Sequence, residues 1–339
     1  MKHLSPAYFA LVMATGIVSI AAWDFNFPIL AMGMFAFNLV AYAVVTCLTA
    51  LRVIRYPRLF WSDMTDHRLG PVFFTAVAGS CILGTQFLLM LHSLAVAAVF
   101  LGLGAALWIG LTYTIFTALI VKRDKPSLEQ GLTGGWLIAV VATQSVAVLA
   151  ALIAGKWPQP LRLELNFIAL SMWLWGGMLY IWIISLIFYR YTFFSFSPGD
   201  LTPPYWVNMG AMAISTLAGV QLVENTPDAP FLASVLPFLK GFTVLYWATG
   251  TWWIPMLLVL GVWRHLIRRF PLRYDPLYWG AVFPLGMYTV ATKQMAAVFG
   301  LPFLTSLPPM VFVAALAAWA LACAGLAWEL LHKAVGPST

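Results

Sequence analysis

Apolar runs alternate with short charged interruptions along the whole chain. Read between charged or histidine positions, ten runs hold candidate helices: 4–23, 25–51, 69–91, 93–121, 130–155, 165–189, 201–223, 241–263, 276–292 and 294–328. A helix needs about 20 apolar residues to cross the hydrocarbon core of a bilayer. Nearly every run supplies them, and the ninth does so if Lys293 snorkels or faces water. The tenth is longer than needed, with Pro308 and Pro309 marking its helix start. No segment between runs is long enough for a soluble domain; the longest, around 264–276, is a basic tether. The pattern predicts one all-α membrane domain over residues 1–339, with ten transmembrane helices. The first run follows "MKH" directly and has no Ala-x-Ala cleavage site, so the first span is expected to stay.

A longer period lies over this one. Aligned on an early aromatic, the odd runs read "FALVMATG" from Phe9, "FTAVAGSC" from Phe74, "WLIAVVAT" from Trp136, "WVNMGAMA" from Trp206 and "FPLGMYTV" from Phe283, at steps of 65, 62, 70 and 77 residues. That spacing predicts five helical hairpins in a quasi-five-fold arrangement. Gln86, Gln144, Asn208, Gln221 and Gln294 fall on odd spans, with Asn38 set apart on an even one. Amides facing hydrocarbon are costly, so the odd helices are expected to form the inner ring. Small residues on these helices permit close packing and also leave room for a lumen. Five helices cannot fill a common centre with Ala, Gly and Thr, so a void or one large side chain belongs there.

"YWGAVFPLGMYTVATKQM", Tyr278 to Met295, offers such a side chain in Phe283, directly before Pro284. Proline has no amide hydrogen and crowds the carbonyl four residues back, here Gly280. Two readings follow, a packing kink or a pore-facing ring. On a helical wheel Met287, Val290 and Gln294 share the face of Phe283.

Composition sharpens the class. With 62% hydrophobic and 9% charged residues, the chain has too little polar surface for a soluble domain. Fourteen Lys and Arg, His3's neighbour Lys2 through Arg273 and Lys333 among them, lie on the N-terminal side; Lys156, Arg162, Lys240 and Lys293 lie opposite. Both termini are therefore expected in the cytoplasm, in a multi-pass cytoplasmic (inner) membrane protein. The net charge of +7 reads as a topology signal and not as a nucleic-acid surface. Cys47, Cys81 and Cys323 lie far apart and read as packing residues. The five histidines have no i, i+4 partner, so no metal is expected. No Gly-x-Ser-x-Gly or phosphate-binding loop occurs, which argues against an enzyme, an ATP-driven pump or a cofactor.

"SPAYFALVMATGIVSI", "GGWLIAVVATQSVAVL", "PPYWVNMGAMAISTLAG" and "FPLGMYTVAT" together resemble the tellurite-resistance/dicarboxylate transporter family over essentially the whole chain. That family includes slow-type anion channels of plant guard cells, malic-acid permeases and sulfite exporters. The resemblance implies a homotrimer of ten-helix subunits in which the five odd helices line a central pore closed by a phenylalanine, matched here by Phe283 with Pro284 behind it. The fifth span departs from many relatives in reading "WLIAVV", with Ala139 where they have proline. The function implied is an anion channel or transporter moving small anions or C4-dicarboxylates. The alternative is a proton-coupled carrier for malate-like dicarboxylates or sulfite. No Asp or Glu lies deep within any span, so nothing fixed in such a pore would hold a cation. Candidate lining residues are Thr15, Gly16, Ser80, Thr143, Gln144, Asn208, Met287 and Thr289. Lys293 is a candidate vestibule charge, and Asp24 and Glu224 are the acids at outer helix ends.

Overall fold

The computed structural model describes residues 2, 4–272 and 274–335, without the side chains of Asp228 and of 333–335. Arg273 and the Lys333 side chain, used in the charge count, lie outside the described residues, as does His3. Ten long helices follow one another: α1 (Phe9–Asp24), α2 (Pro28–Arg55), α3 (Thr75–Leu91), α4 (Leu94–Val121), α5 (Ile138–Ala154), α6 (Leu161–Phe193), α7 (Val207–Glu224), α8 (Leu236–Val262), α9 (Trp279–Val298) and α10 (Leu307–Val335). Nine are long and apolar enough to cross a membrane among the described residues. The tenth, α9, is long enough at 20 residues but carries Lys293, Gln294 and several hydroxyls. It tolerates them because it is buried along most of its length and does not need a lipid-facing surface.

Each odd helix is entered through a 3₁₀ turn: Pro6–Tyr8, Gly70–Phe74, Gly134–Leu137, Pro203–Trp206 and Pro276–Tyr278. Proline opens most of these turns, where its fixed φ and missing amide cost nothing. These entrances set the internal register. "PAYF", "PPYW" and "PLYW" coincide at Phe9, Trp206 and Trp279, so the last repeat starts at Trp279, four residues before the Phe283 chosen from sequence.

The odd helices close a ring. α1 packs on α3, α3 on α5, α5 on α7, α7 on α9 and α9 on α1, and each even helix packs outside its preceding odd partner. Spans built on α1, α3, α5 and α7 are 83–94% buried, against 17–39% for the even ones. Chemistry follows that split. The outward faces of the even helices show large apolar side chains such as Ile109, Trp182 and Val259, as lipid contact requires.

One hydrogen-bonded seam recurs at all five junctions between hairpins. Trp319 of α10 donates to Thr15 of α1 (3.0 Å), and Tyr42 of α2 meets Ser80 of α3 (2.9 Å). Trp108 of α4 donates to Thr143 of α5 (2.8 Å), Trp173 of α6 to the Ser215 carbonyl of α7 (2.8 Å), and Trp247 of α8 to Thr292 of α9 (3.0 Å). Each outer helix is thereby tied to the inner helix of the next hairpin. An aromatic suits the task, because its body faces apolar surroundings while its N–H or O–H finds a partner.

Close packing inside the ring depends on glycine where α9 meets its neighbours. A Cβ on Gly210 of α7 would lie 2.7 Å from the Pro284 ring of α9, and one on Gly286 of α9 would lie 3.0 Å from Ile17 of α1. Amides are less confined to the inner ring than the sequence suggested. Asn166 of the even helix α6 is also fully buried, where its Oδ1 accepts from Asn225 (2.8 Å).

Candidate functional site

A cavity of about 40 Å³ lies within the ring, and every inner helix contributes to its wall. The contributions come from equivalent turns. Ile17, Ile82, Ser145, Ile214 and Met287 form one level. Ile20, Thr85, Val148, Leu217 and Val290 form the next, and Leu89, Leu152, Gln221 and Gln294 the one nearest the C-terminal ends of these helices. The spacing within each helix follows the 3.6-residue period of a single stripe.

One turn before the first level, the same stripe carries Met13, Ala78, Val141, Gly210 and Phe283. All five are buried, with Phe283 at 0% exposure. Phe283 thus shares its stripe with Met287, Val290 and Gln294, which do line the cavity. It is the one aromatic ring at its level, facing a set that includes alanine, valine and glycine. Pro284 follows within an otherwise continuous α9 and rests against Gly210. With Ala139 as its second residue, α5 runs as one continuous α-helix from Ile138 to Ala154.

Of the lining residues expected from sequence, the structure brings only Met287 onto the cavity wall. Thr15, Ser80 and Thr143 belong to the seams, bonded to Trp319, Tyr42 and Trp108. Ser80 also borders a lateral apolar cavity of about 310 Å³ among α2, α3 and α4. Gly16 faces Asn38, Ile82 and Gln86, where a Cβ would meet the Asn38 amide nitrogen at 2.9 Å. Gln144 donates outward to the Trp173 carbonyl (3.0 Å), and the Asn208 carbonyl accepts from Tyr180 of α6 (3.1 Å). Thr289 turns its hydroxyl to Leu285 of its own helix (2.9 Å). For Thr15, Ser80 and Thr143 the physical reason is shared: a polar group inside a membrane protein needs a partner, and the outer ring's Trp and Tyr supply one more cheaply than an empty axis. The Asn208 side-chain amide is buried with no hydrogen-bond partner among the described residues.

Of the polar groups that do reach the cavity, Gln221 and Gln294 were legible as inner-ring amides, whereas Thr85 and Ser145 were hidden among ordinary positions. Thr85 and Ser145 donate to the Cys81 (3.0 Å) and Val141 (2.7 Å) carbonyls, one turn back in their helices. Gln221 donates to Gln294 (2.8 Å) and to Glu224 (2.9 Å). The hydroxyl protons can be recruited by rotation, so the wall offers weak, neutral donors. Register counted from the proline-led turns would have found Thr85 and Ser145; residue type alone could not.

Lys293 stands beside the Gln294 end. Its Nζ donates to the Asp24 carbonyl at the end of α1 and lies 4.5 Å from the centre of the Phe25 ring. At the opposite face, three arginines near the ends of even helices are buried. Arg52 pairs with Asp63 (2.5 Å), Arg190 with Asp200 (3.2 Å) and with Tyr205, and Arg264 donates to the Leu201 carbonyl. Among the described residues no group of three or more His, Cys, Asp or Glu is placed to hold a metal.

Comparison with known proteins places this geometry. A family model described as a voltage-dependent anion channel (SLAC1) matches residues 3–327. An uncharacterised membrane protein of Mycobacterium tuberculosis is 42% identical over 141 residues, covering 42% of this chain and 71% of that protein. An uncharacterised transporter of Methanocaldococcus jannaschii is 25% identical over 309 residues, covering 88% of this chain and 87% of its own. A sulfite efflux pump of Trichophyton rubrum is 22% identical, covering 95% and 89%.

Proposed function

The chain belongs to the voltage-dependent anion channel (SLAC1) family, and on that premise we propose that the axial cavity is its anion path and that Phe283 is the gate. The chain is a multi-pass membrane anion transporter, not an enzyme; its substrate and its gate are the finer questions. One observation carries the reading: equivalent turns of all five inner helices wall the cavity, and their shared stripe leads to Phe283. Pro284 stiffens the segment that holds the ring, and its close contact with Gly210 fixes α9 against α7 at that level.

The lining explains the sign of the permeant ion. Among the described residues no carboxylate lines the cavity, so a cation finds no counter-charge there. An anion meets the hydroxyls of Thr85 and Ser145 and the Gln294 amide, which bind weakly enough to release it, while Gln221 holds Gln294 in place. Lys293 near the Gln294 end raises the local anion concentration. We assign a passive path for small monovalent anions.

A second reading, a proton-coupled carrier for sulfite or malate-like dicarboxylates, is favoured by Glu224 and Asp24. Both lie at the end of the path: Glu224 accepts a hydrogen bond from Gln221, and Asp24 ends α1, where its backbone carbonyl takes the Lys293 ammonium. The sulfite efflux pump of Trichophyton rubrum makes sulfite the first divalent candidate.

Liposome flux of chloride, nitrate, sulfite and malate through wild type and Phe283→Ala tests both. The gate reading expects anion flux to rise at least about ten-fold on loss of the ring while potassium stays excluded. Unchanged flux from a folded variant removes Phe283 as gate. Saturating flux that follows a pH gradient selects the carrier.

A further inference from the structure

On the arginine-rich face, away from the axis, a cavity of about 180 Å³ opens where α8 ends and where α7 and α9 begin. Its polar wall is Thr202, Arg264, His265 and Tyr278. Arg264 is nine-tenths buried, with its guanidinium 4.4 Å from the centre of the Phe270 ring. One terminal nitrogen donates to the Leu201 carbonyl, but its Nε is buried without an acceptor among the described residues. It sits in a π-helical turn, Trp263–Ile267, a local irregularity that membrane and soluble helices alike often keep at binding sites. His265 Nδ1 is 3.0 Å from the Phe270 carbonyl, to which it donates, so Nε2 remains the nitrogen that can take up a proton.

Among the described residues no carboxylate lines this cavity. The two nearest in sequence are committed elsewhere: Asp200 to Arg190 and Ser197, and Asp275 to the Leu277 amide that starts the turn before α9. A buried guanidinium nitrogen lacking an acceptor calls for an anion, and the planar fork of arginine suits a phosphate.

The same cavity adjoins a second of different character. An apolar groove of about 390 Å³ runs between α9 and α10 along Val282, Ala318, Leu321 and Ala322, and shares Tyr278 and Ala281 with the cationic cavity. Leu272 and Leu321 at its rim are more than 70% exposed, so it opens towards the surroundings of the helices. A cationic pocket at the end of an open apolar groove on a transmembrane surface matches an amphiphile with an anionic head.

We propose that these joined cavities hold an anionic phospholipid, its phosphodiester on Arg264, His265 and Thr202 and one acyl chain in the groove between α9 and α10. A second copy of the chain could cover the apolar groove, but it would leave the Arg264 Nε without an acceptor. Free phosphate could satisfy that nitrogen, but it would leave the groove empty. The proposal is independent of the anion path.

The test is retention of added phosphatidylglycerol, phosphatidylcholine or inorganic phosphate by the purified protein in mild detergent, read by native mass spectrometry. Wild type is expected to keep phosphatidylglycerol about ten-fold or more better than phosphatidylcholine, since charge-assisted bonds to the head are at stake. Arg264→Gln should abolish that preference. Because Arg264 also ties down Leu201, Gly261→Leu is the second variant. Gly261 lines the cationic cavity, and nothing lies within 4 Å of a Cβ added there, so the new side chain fills the pocket without disturbing the arginine. Loss of the preference in Gly261→Leu, with wild-type elution and melting, supports the site even if Arg264→Gln fails to fold. Equal retention of both lipids, or a folded Gly261→Leu that keeps the preference, overturns it. Displacement of phosphatidylglycerol by millimolar phosphate, with phosphate retained in its place, assigns the pocket to free phosphate and overturns the lipid.

Discussion

At the scale of single residues, Gly210 shows how little room the ring leaves beside its proposed gate. Its missing Cβ lets α7 approach Pro284, whose ring is rigid and cannot give way. Gly210→Ala is therefore expected to destabilise by about 1–3 kcal/mol, as overpacked cores do. Gly261→Ala, with open space around its new methyl, should melt at or slightly above the wild-type temperature, because alanine is the better helix former. Thermal melts of both in one detergent decide it; equal losses would mean the α7–α9 contact is not tight. A second residue-scale case lies outside the membrane. Partial burial pushes the Asp200 carboxyl up, but the Ser197 hydroxyl and amide and the Arg190 guanidinium outweigh it and hold the group below the usual carboxylate range. A depressed carboxylate contributes stability that is fully present above its unfolded value, about 3.9, and is lost as pH falls through its folded value. Asp200→Asn should thus melt below wild type at pH 6–8, with the gap closing in strong acid; a gap independent of pH would show that packing, not charge, is responsible.

At the scale of elements, the five seams do what hairpin loops alone cannot. A loop joins α3 to α4, for example, but nothing covalent joins α4 to α5 except the long connection through 122–137. Trp108 supplies the tie, donating to Thr143 and stacking on Trp175 at 5.8 Å between ring centres. Interhelical hydrogen bonds in membranes are worth about 1 kcal/mol each. A double-mutant cycle with Trp108→Phe and Thr143→Val should return a coupling of about that size; additive losses would show that the tryptophan acts by packing alone. The seams also explain what the sequence concealed. Hydroxyls on odd helices were legible as inner-ring residues, yet Thr15 and Thr143 turn outward to tryptophans whose pairing no local pattern reveals. The stripe of Phe283, Met287, Val290 and Gln294 was legible, because one helix's period determines it. Its counterparts Ile17, Ile82, Ser145 and Ile214 were not, because they depend on the register between helices, and the entrance turns shift that register by four residues in the last repeat.

At the scale of the whole molecule, the ring of α1, α3, α5, α7 and α9 follows from burying amides and glycines inside, with apolar side chains around them. The resemblance implies three such rings together, each with its own path, and chemical cross-linking to a trimer in native membranes would bear that out. Charge sets the expected orientation. Pairing takes Arg52 and Arg190 out of the free basic surface, since each is buried against an aspartate. The excess on that face still stands, and the bias that orients membrane proteins counts Lys and Arg near span ends with little regard for acids. Lys156 on the opposite face is exposed, as is Asp124 on the basic face. On a background with Cys47, Cys81 and Cys323 replaced, a membrane-impermeant thiol reagent should label Lys156→Cys in intact cells and Asp124→Cys only after permeabilisation. The reverse result would put the phosphatidylglycerol pocket on the outer leaflet and the Lys293 mouth in the cytoplasm, exchanging the end at which an anion enters for the end at which it leaves.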